Sequence, residues 1–125
     1  MHTFSLRSAA VNGFLAVLLG AFGAHALKNQ LALNEGTFSW WHTAESYQMT
    51  HALVLLFLSQ HPKFRSWISY AFTLGILLFS GSLYALALTQ IKIFGAVTPL
   101  GGLCFLIGWL GIFLTALKRE DSASQ

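Results

Sequence analysis

Four apolar runs, with basic residues confined to the stretches between and beyond them, constrain this chain more than any other feature. The runs cover roughly 8–27, 40–60, 67–89 and 95–117. Each is close to the ~20 residues that a helix needs to cross ~30 Å of hydrocarbon at 1.5 Å per residue. Membrane-spanning strands would be about half as long and would alternate polar with apolar residues. Helix is also what a bilayer demands, because every backbone N–H and C=O must be satisfied within the segment. The expected fold is an all-α membrane protein, an antiparallel bundle of four transmembrane helices forming one domain over 1–125.

Composition supports a lipid-facing surface. Hydrophobic residues make up 55% of the 125 and charged residues 9%, against roughly 25% charged in ordinary globular chains. So few charges cannot cover the surface of a small soluble domain. The net charge of +3 is spread along the chain, so no nucleic-acid patch is expected. The bilayer is the expected partner. Cys104 stands alone in an apolar run and reads as an inert buried thiol.

The connections are short. The longest is 28–41; His61-Pro62-Lys63-Phe64-Arg65-Ser66 comes next, with Pro62 stopping a helix; then comes Gln90-Ile91-Lys92-Ile93-Phe94. Residues 118–125 read as a charged, frayed tail. The first run carries some marks of a signal peptide, with Arg7 before it and Ala24-His25-Ala26 after it. Its removal would leave three spans and no secreted domain, so it is read as a helix that stays. No internal repeat of the kind common in transporters is evident.

Arg7, Lys63, Arg65, Lys118 and Arg119 fall on one side of such a bundle, and Lys28 and Lys92 on the other. The positive-inside rule then places both termini in the cytoplasm. Trp40 and Trp41 are expected at the outer interface and Trp67 at the inner one.

Lipid gives helices no hydrophobic reason to meet, so close packing at small residues must supply much of the attraction. Gly13, Ala16, Gly20 and Gly23 recur on one face of the first run, and Gly101, Cys104, Gly108, Gly111 and Thr115 on one face of the fourth. These faces are expected to be helix contacts. Gly81, between two serines, is expected to admit a neighbouring helix.

Polar groups inside the membrane are expensive and mark candidate sites. His51 lies about 40° from Tyr47 and about 60° from Gln48 on a helical wheel, so the three can share one arc. In an up-down bundle His25, Tyr47, Gln48, His51, Ser80, Ser82, Tyr84 and Thr98 gather in the outer half, while Asn12 lies deep on the inner side. The inner half reads as apolar and glycine packing. The outer group is a candidate ligand-binding cluster, or else a hydrogen-bond network that fixes helix register. His25 and His51 are candidate metal ligands, though no His-Glu-x-x-His motif, Cys pair or carboxylate pair accompanies them. Ser80 could pair with His51, but Gly-x-Ser-x-Gly is absent. Thr98-Pro99 reads as a helix start.

Gly20-Ala21-Phe22-Gly23-Ala24-His25-Ala26-Leu27, Tyr47-Gln48 with His51-Ala52, Leu78-Phe79-Ser80-Gly81-Ser82-Leu83-Tyr84, Thr98-Pro99-Leu100-Gly101-Gly102 and Gly108-Trp109 together resemble the YgdD family, domain of unknown function 423. That resemblance implies a four-helix protein of the bacterial inner membrane and implies no reaction or cofactor. Three functions stay open: a non-enzymatic membrane protein, including one that packs against a membrane complex; a small-solute or ion transport or channel component acting as a homo-oligomer; and an intramembrane metal- or cofactor-binding redox accessory.

Overall fold

The computed structural model describes residues 3–123, with side chains placed for residues 3–119. The end of the expected charged tail, 124–125, lies outside the described residues. All secondary structure among the described residues is helical: α1 (Thr3–Ala24), α2 (Lys28–Leu31), α3 (Glu35–Gln60), α4 (Ser66–Gly75), a π-helical turn (Ile76–Ser80), α5 (Gly81–Thr89) and α6 (Ile93–Ala123). The segments from α4 to α5 form one continuous helix, Ser66–Thr89.

Three helices are long and apolar enough to cross a membrane: Thr3–Ala24, Ser66–Thr89 and Ile93–Arg119, with mean hydropathies of 1.5, 1.9 and 2.1. α3 has the length, at 26 residues, but carries His42, Glu45, Gln48 and His51. Its start is fixed by Asn34, whose Oδ1 accepts hydrogen bonds from Thr37 N at 2.8 Å and Thr37 Oγ1 at 3.0 Å. Glu35 adds a negative charge to the first turn, where the helix dipole favours it. Ser66–Thr89 ends at Gln90, the one described non-glycine residue at positive φ, 59°. The Gln90 side-chain amide donates to Thr37 Oγ1 at 3.0 Å, which ties the end of α5 to the start of α3.

α1 packs along α3, and α6 packs along Ser66–Thr89; α3 and Ser66–Thr89 meet in the middle. Half of the apolar window of Ser66–Thr89 is buried, against 17% for α1 and 22% for α6. The outer helices therefore offer most of the apolar surface, including Val11, Phe14 and Val17 on α1 and Leu103, Leu106 and Phe113 on α6. Buried polar side chains such as Ser5, Gln48, His51, Ser69 and Ser80 lie inside. A soluble protein would not expose so large an apolar surface. The main apolar cluster is built on Leu55, Leu58, Ile68, Phe72, Ile76 and Phe105.

The π turn inserts one extra residue into the helix and re-aims the turns beyond it. Ser80 Oγ, fully buried, donates to the Ala44 carbonyl of α3 at 2.7 Å. On the other side Gly101 of α6 rests directly on the Phe79 backbone, leaving no room for a Cβ. Gly108 lies on the Phe72 ring, Gly111 on Trp67 and Ile68, Gly20 on the Glu45 carboxylate and Gly23 on the Trp41 indole. Gly13 and Gly81 differ from expectation. A Cβ at either would meet nothing within 4 Å, so neither is a point of close approach between helices.

Two further differences are local. Trp41 is buried, with Nε1 donating to the Leu19 carbonyl at 3.1 Å, because Gly23 leaves a hole that the indole fills. Its indole packs against α1. Pro99 sits inside α6, which begins six residues earlier at Ile93, and is not its start. Its missing N–H leaves the Gly95 carbonyl without its helical partner. α6 also continues through the basic residues Lys118 and Arg119 to Ala123.

Adding bulk should separate the two kinds of glycine. Gly101→Leu is expected to cost about 1–3 kcal/mol or to prevent assembly, whereas Gly13→Ala should leave the unfolding midpoint in detergent unchanged or slightly raised. Equal midpoints for Gly101→Leu and the wild type would show that the α6 contact on Phe79 is not tight.

Candidate functional site

Two polar systems occupy the interior, on different sides of α3. The first joins α1, α3 and Ser66–Thr89. Tyr84 OH donates to Gln48 Oε1 at 2.8 Å, and Gln48 Nε2 donates to Asn12 Oδ1 at 3.4 Å. Asn12 Nδ2 donates to the Ser8 carbonyl at 2.9 Å and approaches Ser8 Oγ at 3.3 Å. Ser8 Oγ pairs with Thr73 Oγ1 at 2.8 Å, and one turn further Ser5 Oγ pairs with Ser69 Oγ at 2.6 Å. The result is a ladder of side-chain bonds running from the level of Tyr84 to the amino-terminal end of α1. It contains two amides. An amide passes a proton poorly, since it must form an imidic acid to do so, so the ladder is suited to holding helices rather than to moving protons.

The second system faces α6. His51 is buried, and its ring lies flat on Phe105, with centroids 3.7 Å apart and planes 5° apart. His51 Nδ1 stands 2.7 Å from the Tyr47 carbonyl, which can only accept. Trp109 Nε1, which can only donate, stands 3.3 Å from His51 Nε2. Together these partners select the neutral imidazole with its proton on Nδ1. Both ring nitrogens are thereby used. Tyr47 stacks on Phe79 at 4.4 Å, and the residue is 44% exposed. These rings form one wall of an open groove of about 740 Å³ between α3 and α6, lined also by Ser46, Thr50, Pro99, Gly102 and Leu106.

The expected cluster is therefore divided. Gln48 and Tyr84 meet each other, Ser82 Oγ meets Thr98 Oγ1 at 2.7 Å between α5 and α6, and Ser80 is held by Ala44. Tyr47 and His51 belong to the groove. His25 joins none of them. It is exposed in the turn after α1, thirteen residues beyond Asn12, whereas His51 lies three residues beyond Gln48, the partner of Asn12. Because the two helices run in opposite senses, with Leu19 meeting Trp41 and Asn12 meeting Gln48, the two stretches add to about 24 Å along the helix axis at 1.5 Å per residue. A metal site shared by His25 and His51 is excluded by this distance. Among the described residues no group of three His, Cys, Asp or Glu side chains could hold a metal ion. A Ser80–His51 pair is also ruled out as arranged, since both residues are bonded elsewhere.

Polar groups are not confined to the end of the helices near Tyr84 and Thr98. Ser5, Ser8, Ser69 and Thr73 give the opposite end its own bonds. Their spacing, with Ser5, Ser8 and Asn12 at steps of 3 and 4 and Ser69 and Thr73 at 4, was the available signal. Trp109, Phe105, Ser46 and Thr50 carried no such signal.

Comparison with known proteins fixes the kinship. The profile of the family described as "Protein of unknown function (DUF423)" matches residues 19–102. The chain belongs to this family. A relative from Staphylococcus saprophyticus, UPF0382 membrane protein SSP2132, is 45% identical over 113 residues, covering 87% of this chain and 92% of the relative. UPF0382 membrane protein YwdK of Bacillus subtilis is 45% identical over 118 residues, with 87% and 92% covered. UPF0382 inner membrane protein YgdD of Escherichia coli K12 is 41% identical over 122 residues, with 94% and 92% covered. No solved structure matches. The DUF423 match includes Gln48, His51 and Tyr84 but begins after Ser5, Ser8 and Asn12.

A double-mutant cycle tests the ladder. Tyr84→Phe and Gln48→Leu should show a coupling of about 0.6 kcal/mol, the average for such bonds in membrane bundles, read from unfolding midpoints in mixed micelles. Strictly additive effects would mean that the Tyr84–Gln48 bond does not hold the helices.

Proposed function

We propose that this chain is a four-pass, non-enzymatic protein of the bacterial inner membrane, with both termini in the cytoplasm. Its interior polar groups serve to lock helices together. The observation that carries this proposal is the mutual use of Tyr84, Gln48, Asn12, Ser8 and Thr73 as hydrogen-bond partners, which leaves this part of the interior without a free reactive group.

Several features support α3 as the fourth span. Its 26 residues would extend about 39 Å. Its polar residues Gln48 and His51 are buried against neighbouring helices, so the helix can be polar without exposing those groups to lipid. Contacts also run in opposite senses. Leu19 meets Trp41 while Asn12 meets Gln48, and Thr37 meets Gln90 while His51 meets Phe72. This order supports antiparallel neighbours. Arg7, Lys63, Arg65, Lys118 and Arg119 against Lys28 and Lys92 support cytoplasmic termini. The inner-membrane name of the Escherichia coli relative supports the location.

Cysteine labelling tests the topology. In a Cys104→Ser background, Asn29→Cys should react with an impermeant maleimide in intact spheroplasts. Lys63→Cys and Arg119→Cys should react only after permeabilisation. If Asn29→Cys and Lys63→Cys react from the same side, α3 does not cross the membrane.

A further inference from the structure

We propose that the groove between α3 and α6 binds an uncharged, membrane-soluble amphiphile with a flat, hydrogen-bond-accepting head and an apolar tail. Three observations combine. The first is volume: about 740 Å³ falls within the ~300–1,000 Å³ of small-molecule sites. The second is the wall. Tyr47 on Phe79 and His51 on Phe105 present ring faces that suit a planar group.

The third is a set of hydroxyls with nothing to bind. Ser46, Tyr47 and Thr50 line the groove, and no described residue makes a hydrogen bond with any of their hydroxyls. Serine and threonine in helices can satisfy themselves on the carbonyl four residues back, as Thr73 does on Ser69. Ser46 and Thr50 do not. Ser46 lies eleven residues after Glu35, and Thr50 lies ten before Gln60. At 1.5 Å per residue, about 15 Å of helix separates them from either end. Water is absent at that depth, so donors there gain most from a partner brought by the lipid phase.

Depth also selects among lipids. A phospholipid headgroup stays at the interface, about 15 Å from the bilayer centre, and cannot reach these donors. A neutral carbonyl-bearing ring on an apolar tail can, with its tail leaving past Leu103 and Leu106, which are exposed on the open side. The ring would accept from Ser46, Tyr47 and Thr50, while His51 and Trp109 remain paired with each other behind it. No reaction is implied. The inference rests on α3 crossing the bilayer, as proposed above.

The test uses the full chain in phosphatidylcholine nanodiscs, with a decyl-substituted benzoquinone as probe and tryptophan fluorescence as readout. Trp109 lines the groove and should be quenched by the bound ring. Quenching should saturate. The pair Ser46→Ala and Thr50→Val should weaken it by roughly tenfold, the effect of one or two neutral hydrogen bonds. Gly102→Leu should abolish the saturable part by filling the groove, since a Cβ there meets only the Phe79 ring, at 3.9 and 4.0 Å. Decylbenzene should not compete. Thr50→Val is nearly isosteric and keeps the test alive if Gly102→Leu fails to fold. Non-saturating quenching equal in all variants would mean simple partition into the lipid and would overturn the site. Equal competition by decylbenzene, or a wild-type dimer that Gly102→Leu dissociates, would overturn it too. The cysteine labelling pattern is read separately, so failure of the topology and failure of the site give different results.

Discussion

Inside a bilayer there is no water to satisfy a polar group that the protein leaves unpaired. The rest of this structure depends on how α3, the fourth span proposed above, pairs its polar groups. It is the most polar of the long helices and is flanked by α1 on one side and Ser66–Thr89 on the other. Gln48 shows the solution at one residue. Its carbonyl accepts from Tyr84 and its amide donates to Asn12, so one side chain fixes three helices at once. Thr37 ties the start of α3 to the end of α5, accepting from the Gln90 amide while donating to Asn34.

Glycine and aromatic residues divide the remaining work. The π turn brings the Phe79 backbone out to α6, and only Gly101 allows the two backbones to meet there. The Phe72 and Trp67 rings fill the space left at Gly108 and Gly111. The same pairing of a small residue with a large one recurs between α1 and α3, where Gly23 receives Trp41. Packing of this kind replaces the hydrophobic drive that lipid does not supply.

The helical class was legible because hydropathy and length report the bilayer directly. A Cβ at Gly20, Gly23, Gly101, Gly108 or Gly111 would run into a neighbouring helix, whereas one at Gly13 or Gly81 would meet nothing within 4 Å. Spacing gives a face and not the height at which two helices touch. The candidate site was less legible. Tyr47, Gln48 and His51 do share an arc of about 100°, but α3 has neighbours on more than one side. An arc of that width is enough to turn Gln48 toward α1 and His51 toward α6. Trp109 could not be assigned from sequence, since its partner depends on the distance between two helices that touch mainly through side chains.

That separation gives α3 two chemically distinct sides. Toward α1 and α5, donors and acceptors are matched, and each added bond makes the arrangement more rigid. Toward α6 the match is incomplete. His51 and Trp109 satisfy each other, but Ser46, Tyr47 and Thr50 present hydroxyls to an open groove. With α3 as the proposed fourth span, an unpaired hydroxyl at those positions costs free energy and holds no helices together. The closed ladder explains how the helices stay in register. The unmatched hydroxyls beside it are the part of α3 that packing does not explain, and they direct the search for a ligand to the groove on α6 rather than to the buried ladder or to His25.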